Sequence, residues 1–283
     1  MRRRALLSLA DRRAVEASGS VVALLDDEDP SAAQFALVVL GELGAADCLE
    51  AIRPYLEAVE PAFRFQALQA WARLAPNQLA GPLAARLEDT DPKVRLLALR
   101  LLEEWLLDTP GAELDSVLEA RVQRLASDAD RDVALVGQLV GAELGLQVPH
   151  DQLIALVNRR RSAPEPRDEQ GAIEFCGRQR LAAARAGLAS RARGAWGLSF
   201  DPFRFQALAG LAALGDVRAH AKLEKLLRGR GSSRALAVFA IGRVGPPGFR
   251  ARLTELASEP GDLDPELLRE ALAGLDEAES PPR

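Results

Sequence analysis

Cysteine and histidine are almost missing from this sequence, with two of each among 283 residues. Cys48 and Cys176 are too few for a disulfide framework, and burial as free thiols in a reducing compartment accounts for both. His150 and His220 are too few for a histidine-rich metal centre. His220 and Glu224 stand one helical turn apart, but a metal site needs two further ligands, and no cysteine pair supplies them. Val and Ile are sparse and never alternate over a strand length, which argues against β-structure. No apolar run reaches the roughly 18 residues of a membrane span. The start, Met1-Arg2-Arg3-Arg4-Ala5-Leu6-Leu7, resembles a leader n-region, yet its apolar run stops at Asp11-Arg12-Arg13. Gly-x-Gly-x-x-Gly and Walker-type loops are also lacking; the nearest glycine run, Gly229-Arg230-Gly231-Ser232, reads as a turn between helices. These absences point to a cytoplasmic protein with no cofactor and no metal.

What is present is a repeat. Asp29-Pro30, Glu60-Pro61 and Asp91-Pro92 are each 31 residues apart. Behind them Ala36, Ala67 and Ala98 fall in register, as do Leu37, Leu68 and Leu99, then Leu40, Trp71 and Leu102, then Leu43, Leu74 and Trp105. Val21, Ile52, Leu83 and Leu114 keep the same step, and so do Leu25, Leu56, Leu87 and Leu118. An acid before proline opens a helix, because its carboxylate accepts orphan backbone N–H groups and proline is pre-set in φ for the first helical position. Two short helices and two turns fill a 31-residue unit, Asp47 being placed to cap the second helix of the first one. One hairpin cannot bury its own apolar face, so neighbours must stack. The fold class that follows is all-α, an α-α superhelix of stacked helical hairpins.

The unit resembles the HEAT repeat, in particular the short bacterial form also seen in phycobilisome-lyase-type repeat proteins. The residues that carry the resemblance are Asp91-Pro92-Lys93-Val94-Arg95, the alanine-rich first helices, and endings such as Leu40-Gly41-Glu42-Leu43-Gly44 and Ala213-Leu214-Gly215-Asp216. It covers 20–145 and 200–276 well and 146–199 poorly. It implies an armadillo-like helical solenoid that binds other proteins, and it specifies fold far better than function.

Three segments follow. Residues 1–157 form an N-terminal array with a cap, whose first helix runs through Leu6, Leu7, Leu9 and Val15 and whose polar outer face is Arg2, Arg3, Arg4, Arg12 and Arg13. A fourth hairpin starts near Asp130, with its second helix through Leu153, Ile154, Leu156 and Val157. Residues 158–200 form an irregular basic junction: a loop at 158–170, helix over 170–189, and a second loop holding Trp196. Residues 201–283 form a C-terminal array and tail. There Phe203-Arg204-Phe205-Gln206-Ala207-Leu208 nearly copies Phe63-Arg64-Phe65-Gln66-Ala67-Leu68, and Phe205, Leu236 and Leu267, Ala209, Ala240 and Ala271, and Ala213, Val244 and Leu275 share registers.

Charge is the best functional clue. The net charge is −5, but residues 156–252 hold 19 Arg and Lys against 7 Asp and Glu. A basic section between acidic flanks points to an acidic protein segment, to nucleic acid, or to self-association. Arg218, Lys222, Lys225 and Arg228 lie three or four apart on a second helix, Arg250 and Arg252 lie on the next one, and Arg159, Arg160 and Arg161 end an earlier one. In HEAT arrays second helices line the concave surface, so by resemblance these groups form a basic inner stripe. Arg191, Arg193 and Trp196 join them as candidate partner-binding residues, since Arg and Trp are the types enriched in binding hot spots. Nucleic acid is disfavoured, because single-strand binders interleave stacking aromatics with basic residues and the one tyrosine, Tyr55, sits in the acidic half. Arg64, Arg95 and Arg204 read instead as an arginine ladder between stacked repeats, and Trp71 and Trp105 as core.

No catalytic constellation is present. Glu103, Glu104 and Asp108 fall at a helix end, where carboxylates face water rather than a cleft that raises their pKa. A lyase-type repeat enzyme rests on the resemblance alone. The reading is a non-catalytic scaffold or adaptor that binds an acidic protein segment, with a nucleic-acid-associated protein using the same basic section as the alternative.

Overall fold

The structure is a computed structural model that describes residues 15–109, 114–193 and 201–279. The first cap helix through Leu6, Leu7 and Leu9, its arginine face and Trp196 lie outside the described residues. The chain divides into two compact units, residues 1–140 and 141–283, described in turn.

The first unit is built on helices α1 (Ser18–Val22), α2 (Pro30–Leu43), α3 (Leu49–Ile52), α4 (Pro61–Leu74), α5 (Ala80–Arg86), α6 (Pro92–Asp108) and α7 (Ser116–Leu125), and on α8 (Arg131–Glu143), within which the division falls. The repeated acids act as caps: Asp29 accepts the Ser31 N–H at 3.0 Å, Asp91 the Lys93 N–H at 2.8 Å, and Asp130 the Asp132 N–H at 2.9 Å. Glu60 makes no such bond, so α4 starts on Pro61 alone. The register positions form the core. Ala36, Ala67, Ala98, Leu37, Leu68 and Leu99 are all fully buried. Each such leucine stabilises the fold by about 1.5–3 kcal/mol. Long first helices pack side by side, α2 on α4 and α4 on α6.

The second helices are shorter than the spacing predicts. The stretch expected as one helix through Cys48, Ile52, Tyr55 and Leu56 is a 3₁₀ turn (Ala46–Cys48), the four-residue α3, and a second 3₁₀ turn (Arg53–Glu57). Pro54 is the reason. It has no N–H to give and its ring clashes with the carbonyl four residues back, so the α-helix stops at Ile52. Asp47 makes no side-chain cap there.

The second unit continues with α9 (Asp151–Val157), α10 (Pro166–Arg178), α11 (Arg185–Arg193), α12 (Arg204–Ala213), α13 (Val217–Leu227), α14 (Ser232–Val244), α15 (Arg250–Ser258) and α16 (Pro265–Glu279). The helix expected over 170–189 is two helices, α10 and α11, broken at Arg180, which adopts φ 51°. A short turn joins them, and both pack on α12. Helix α12 is therefore surrounded: Phe205 to Ala213 are all buried. Ala209, Ala240 and Ala271 are buried in register, but Leu236 is 46% exposed, because its side of α14 faces solvent.

Close approach of first helices depends on small residues. Gly177 meets Gly210 between α10 and α12, and Gly242 meets Ala271 and Gly274 between α14 and α16. A Cβ on Gly274 would stand 2.3 Å from the Gly242 carbonyl oxygen, which is backbone and cannot rotate away. Gly274→Ala is expected to force the helices apart and to destabilise the protein by about 1–3 kcal/mol, as overpacking does. Urea unfolding of the variant checks this; an unchanged midpoint would show that the contact yields freely.

Candidate functional site

The basic residues divide by what they touch. Arg191 was expected at a partner surface, but it is only 1% exposed. Its Nε donates to the Val157 carbonyl at 3.0 Å and its Nη2 to that of Leu156 at 3.1 Å. Its Nη1 reaches Glu169 at 2.6 Å and Asp201 at 3.1 Å. The guanidinium thus satisfies the free Val157 carbonyl, adds a second bond to that of Leu156, which also accepts the Arg159 N–H at 2.9 Å, and ties the end of α9 to the first turn of α10 and the start of α12. Sequence cannot separate this from a surface arginine, since the residues it binds are 10 to 35 positions away.

Arg159, with φ 56°, pairs with the same Asp201 at 2.5 Å. Arg161 is half-buried and donates to Gln152 Oε1 at 2.8 Å. Arg160 is exposed, and so is Arg193, whose Nε bonds the carbonyl of Ala189 at 3.0 Å in its own helix. Arg250 pairs with Asp276 of α16, and Arg252, which is half-buried, with Glu255.

One face of helix α13 gathers basic groups that pair with no acid. Asp216 caps it, accepting the N–H groups of Arg218 and Ala219 at 3.0 Å each. Ala219, Leu223 and Leu227 form its buried stripe. Arg218, Lys222 and Lys225, at i, i+4 and i+7, form the opposite face and are exposed. Their side chains make no hydrogen bond or ion pair with any described residue. Arg228, one turn on, sits 3.5 Å from Glu224. His220 stacks on Phe249, the residue just before α15, ring centroids 4.3 Å apart, which explains it as packing.

A concavity of about 500 Å³ opens beside the end of α13. Arg228, Arg230, Arg234 and Arg252 line it, with Glu259 and Asp262. Arg234 bonds Asp262 at 2.5 Å and the Leu227 carbonyl at 3.0 Å. The Gly231 N–H and the Arg234 guanidinium hold the Asp262 carboxyl below its ordinary pKa. Nothing in the repeat pattern marks Arg230 or Arg234: Arg234 lies one residue before Ala235, the register equivalent of Arg204. A second groove, about 640 Å³, runs over α10, α14 and α16 and has balanced charge, Arg178 and Arg243 against Glu270 and Glu277.

The arginine ladder is real in the first unit. Arg64 bonds Asp89 at 2.6 Å and the carbonyls of Ala58 and Val59; Arg95 bonds Asp128 at 2.7 Å and the carbonyls of Asp89 and Thr90. Each arginine thereby locks the turn before its own helix to the corresponding turn of the next repeat. Arg204 lies over the Phe205 ring, 4.5 Å from its centroid. Trp71 is buried and Trp105 half-buried.

Residues 18–103 match a family model described as HEAT repeats. Among solved structures, the crystal structure of YibA from Escherichia coli is similar, with 16% identity and a TM-score of 0.51 over 95% of this chain and 96% of that one. A crystal structure of an engineered protein has 16% identity and a TM-score of 0.46, covering 97% of this chain and 82% of that one. The search of curated proteins found no match. The likeness is one of fold: an all-α protein of helical repeats, a type that commonly mediates protein interactions. No helix of the described residues is long and apolar enough to cross a membrane.

Proposed function

We propose that this chain is a non-catalytic interaction scaffold, and that an acidic segment of a partner protein lies along the exposed face of α13. The observation that carries the reading is the set Arg218, Lys222 and Lys225. Like charges at i, i+4 on a helix repel and destabilise it slightly, by about 0.2–0.5 kcal/mol per pair. Elsewhere in the basic section several arginines are neutralised, as Arg159, Arg191, Arg234 and Arg243 are by Asp201, Glu169, Asp262 and Glu174. The α13 face is not, and an acidic partner removes the repulsion. The HEAT-repeat match over residues 18–103 supports a scaffold role. Protein is preferred to nucleic acid because no phenylalanine, tyrosine or tryptophan among the described residues is exposed, so no base-stacking platform accompanies the charge.

The test is affinity capture from lysate with and without nuclease treatment, with wild-type bait beside Arg218→Glu/Lys222→Glu/Lys225→Glu bait. These side chains are exposed and unbonded, so the variant is expected to melt like the wild type. A protein partner recovered by the wild type is expected to drop at least about tenfold with the reversed bait, and to weaken with added salt. Equal recovery of the same partner by both baits would move the interface off α13. Retention that disappears with nuclease treatment would replace the protein by nucleic acid.

A further inference from the structure

We propose that the arginine-lined concavity at the end of α13 is a binding site for a phosphomonoester group. Four guanidinium groups border it, and two carboxylates offset only part of their charge. Asp262 is already engaged by Arg234 and by the Gly231 N–H. The lining is thus about two positive charges in excess, and a phosphomonoester carries roughly −1.5 to −2 at neutral pH. The donors are available. Arg230 makes no side-chain bond with any described residue. Arg228 is at the outer limit of reach from Glu224, at 3.5 Å. Arg252 uses Nη1 on Glu255, while its Nε–H is buried and has no acceptor.

Guanidinium forks match the oxygens of a phosphate geometrically as well as in charge. The volume exceeds that of the phosphate alone. At about 500 Å³ it falls within the range of small-ligand pockets, so the group to which the phosphate is esterified also enters. That group belongs either to a free phosphorylated small molecule or to a phosphorylated side chain of another protein; the recognition chemistry is the same. The site is separate from the α13 face, because Arg218, Lys222 and Lys225 do not line it.

The experiment is a titration of the full chain at low salt, read from the arginine Nε–Hε signals in ¹⁵N NMR spectra. The probes are inorganic phosphate, glycerol 3-phosphate, and a phosphoserine peptide with its unphosphorylated counterpart. Saturable shifts are expected with at least one phosphorylated probe and with none that lacks phosphate; the tighter of glycerol 3-phosphate and phosphopeptide identifies the source. Arg230→Ala and Arg252→Ala are each expected to weaken binding at least about tenfold, the loss of one charge-assisted bond. Arg230→Ala removes no hydrogen bond or ion pair with any described residue, so it reads binding even if Arg252→Ala reduces stability. The Arg218→Glu/Lys222→Glu/Lys225→Glu variant is expected to bind as the wild type does. Absence of saturable shifts with every phosphorylated probe overturns the proposal, and so does weakening by the α13-face variant that equals that of Arg230→Ala. The lysate capture and this titration read different residues, so either can fail while the other succeeds.

Discussion

Arg191→Met is expected to lower the unfolding free energy by about 3 kcal/mol, the loss seen when one member of a buried ion pair is removed. Methionine keeps much of the stem volume, so packing loss is small and the effect reports the guanidinium. Without it the Val157 carbonyl loses its donor, the Leu156 carbonyl keeps only the Arg159 N–H, and Asp201 keeps the Phe203 N–H and, as its one cation, Arg159, whose side chain is 55% exposed. Arg159 holds the cost near the lower end of the range for a stranded buried charge. Arg191→Lys supplies the charge without the fork and is expected to recover about half of the loss, since an ammonium cannot meet two carbonyls and two carboxylates at once. Urea unfolding followed by far-UV circular dichroism measures both. A loss below about 1 kcal/mol for Arg191→Met would mean that the site repacks or hydrates freely. Partner capture by folded Arg191→Met is expected to match wild type, which separates this buried residue from the exposed α13 face.

Arg191 also marks the boundary of what the sequence reveals. Helix starts are legible because their cause is local: an acid and often a proline stand one or two residues from the N–H groups they satisfy, as at Asp29, Asp91 and Asp216. The core is legible where many repeats share it, so Ala36, Ala67 and Ala98 appear together. The second helices are less so, because a single Pro54 turns most of one into 3₁₀ structure. The pair α10–α11 carries no 31-residue register and reads as a junction; its packing rests on Gly177 against Gly210 and on Gly187 against the end of α9, contacts that leave no periodic trace. Charged residues are the least legible. Arg191 and Arg193 are two positions apart in one arginine-rich stretch, and one is buried while the other is exposed. The basic concavity depends on Arg234 and Asp262 meeting across 28 positions, which no spacing rule announces.

Asp89→Ala is expected to be the more damaging change, at about 4 kcal/mol near neutral pH. Asp89 is 7% exposed and accepts from Arg64 through both oxygens, at 2.6 and 2.8 Å. Arg86 stands 3.3 Å from it, and the Asp91 N–H donates to it at 2.9 Å. Removing the carboxylate strands Arg64 beside Arg86, two largely buried cations, of which Arg86 alone retains another acid, the exposed Glu57. Asp89→Asn keeps the shape and isolates the charge. Burial pushes the Asp89 pKa up, but the Arg64 hydrogen bonds, the Asp91 N–H and the charges of Arg64 and Arg86 outweigh it, and the pKa lies below the ordinary 3.8. A carboxylate with a depressed folded pKa contributes stability that is fully present above its ordinary value and is lost as pH falls through the folded value. The stability gap between wild type and Asp89→Asn is therefore expected to be constant at neutral pH and to narrow below 3.8. Unfolding midpoints of both proteins across that range decide the matter. A gap that persists unchanged through the acid range would show that the asparagine fails through its amide geometry, and that the ladder between repeats is held by hydrogen-bond shape rather than by charge.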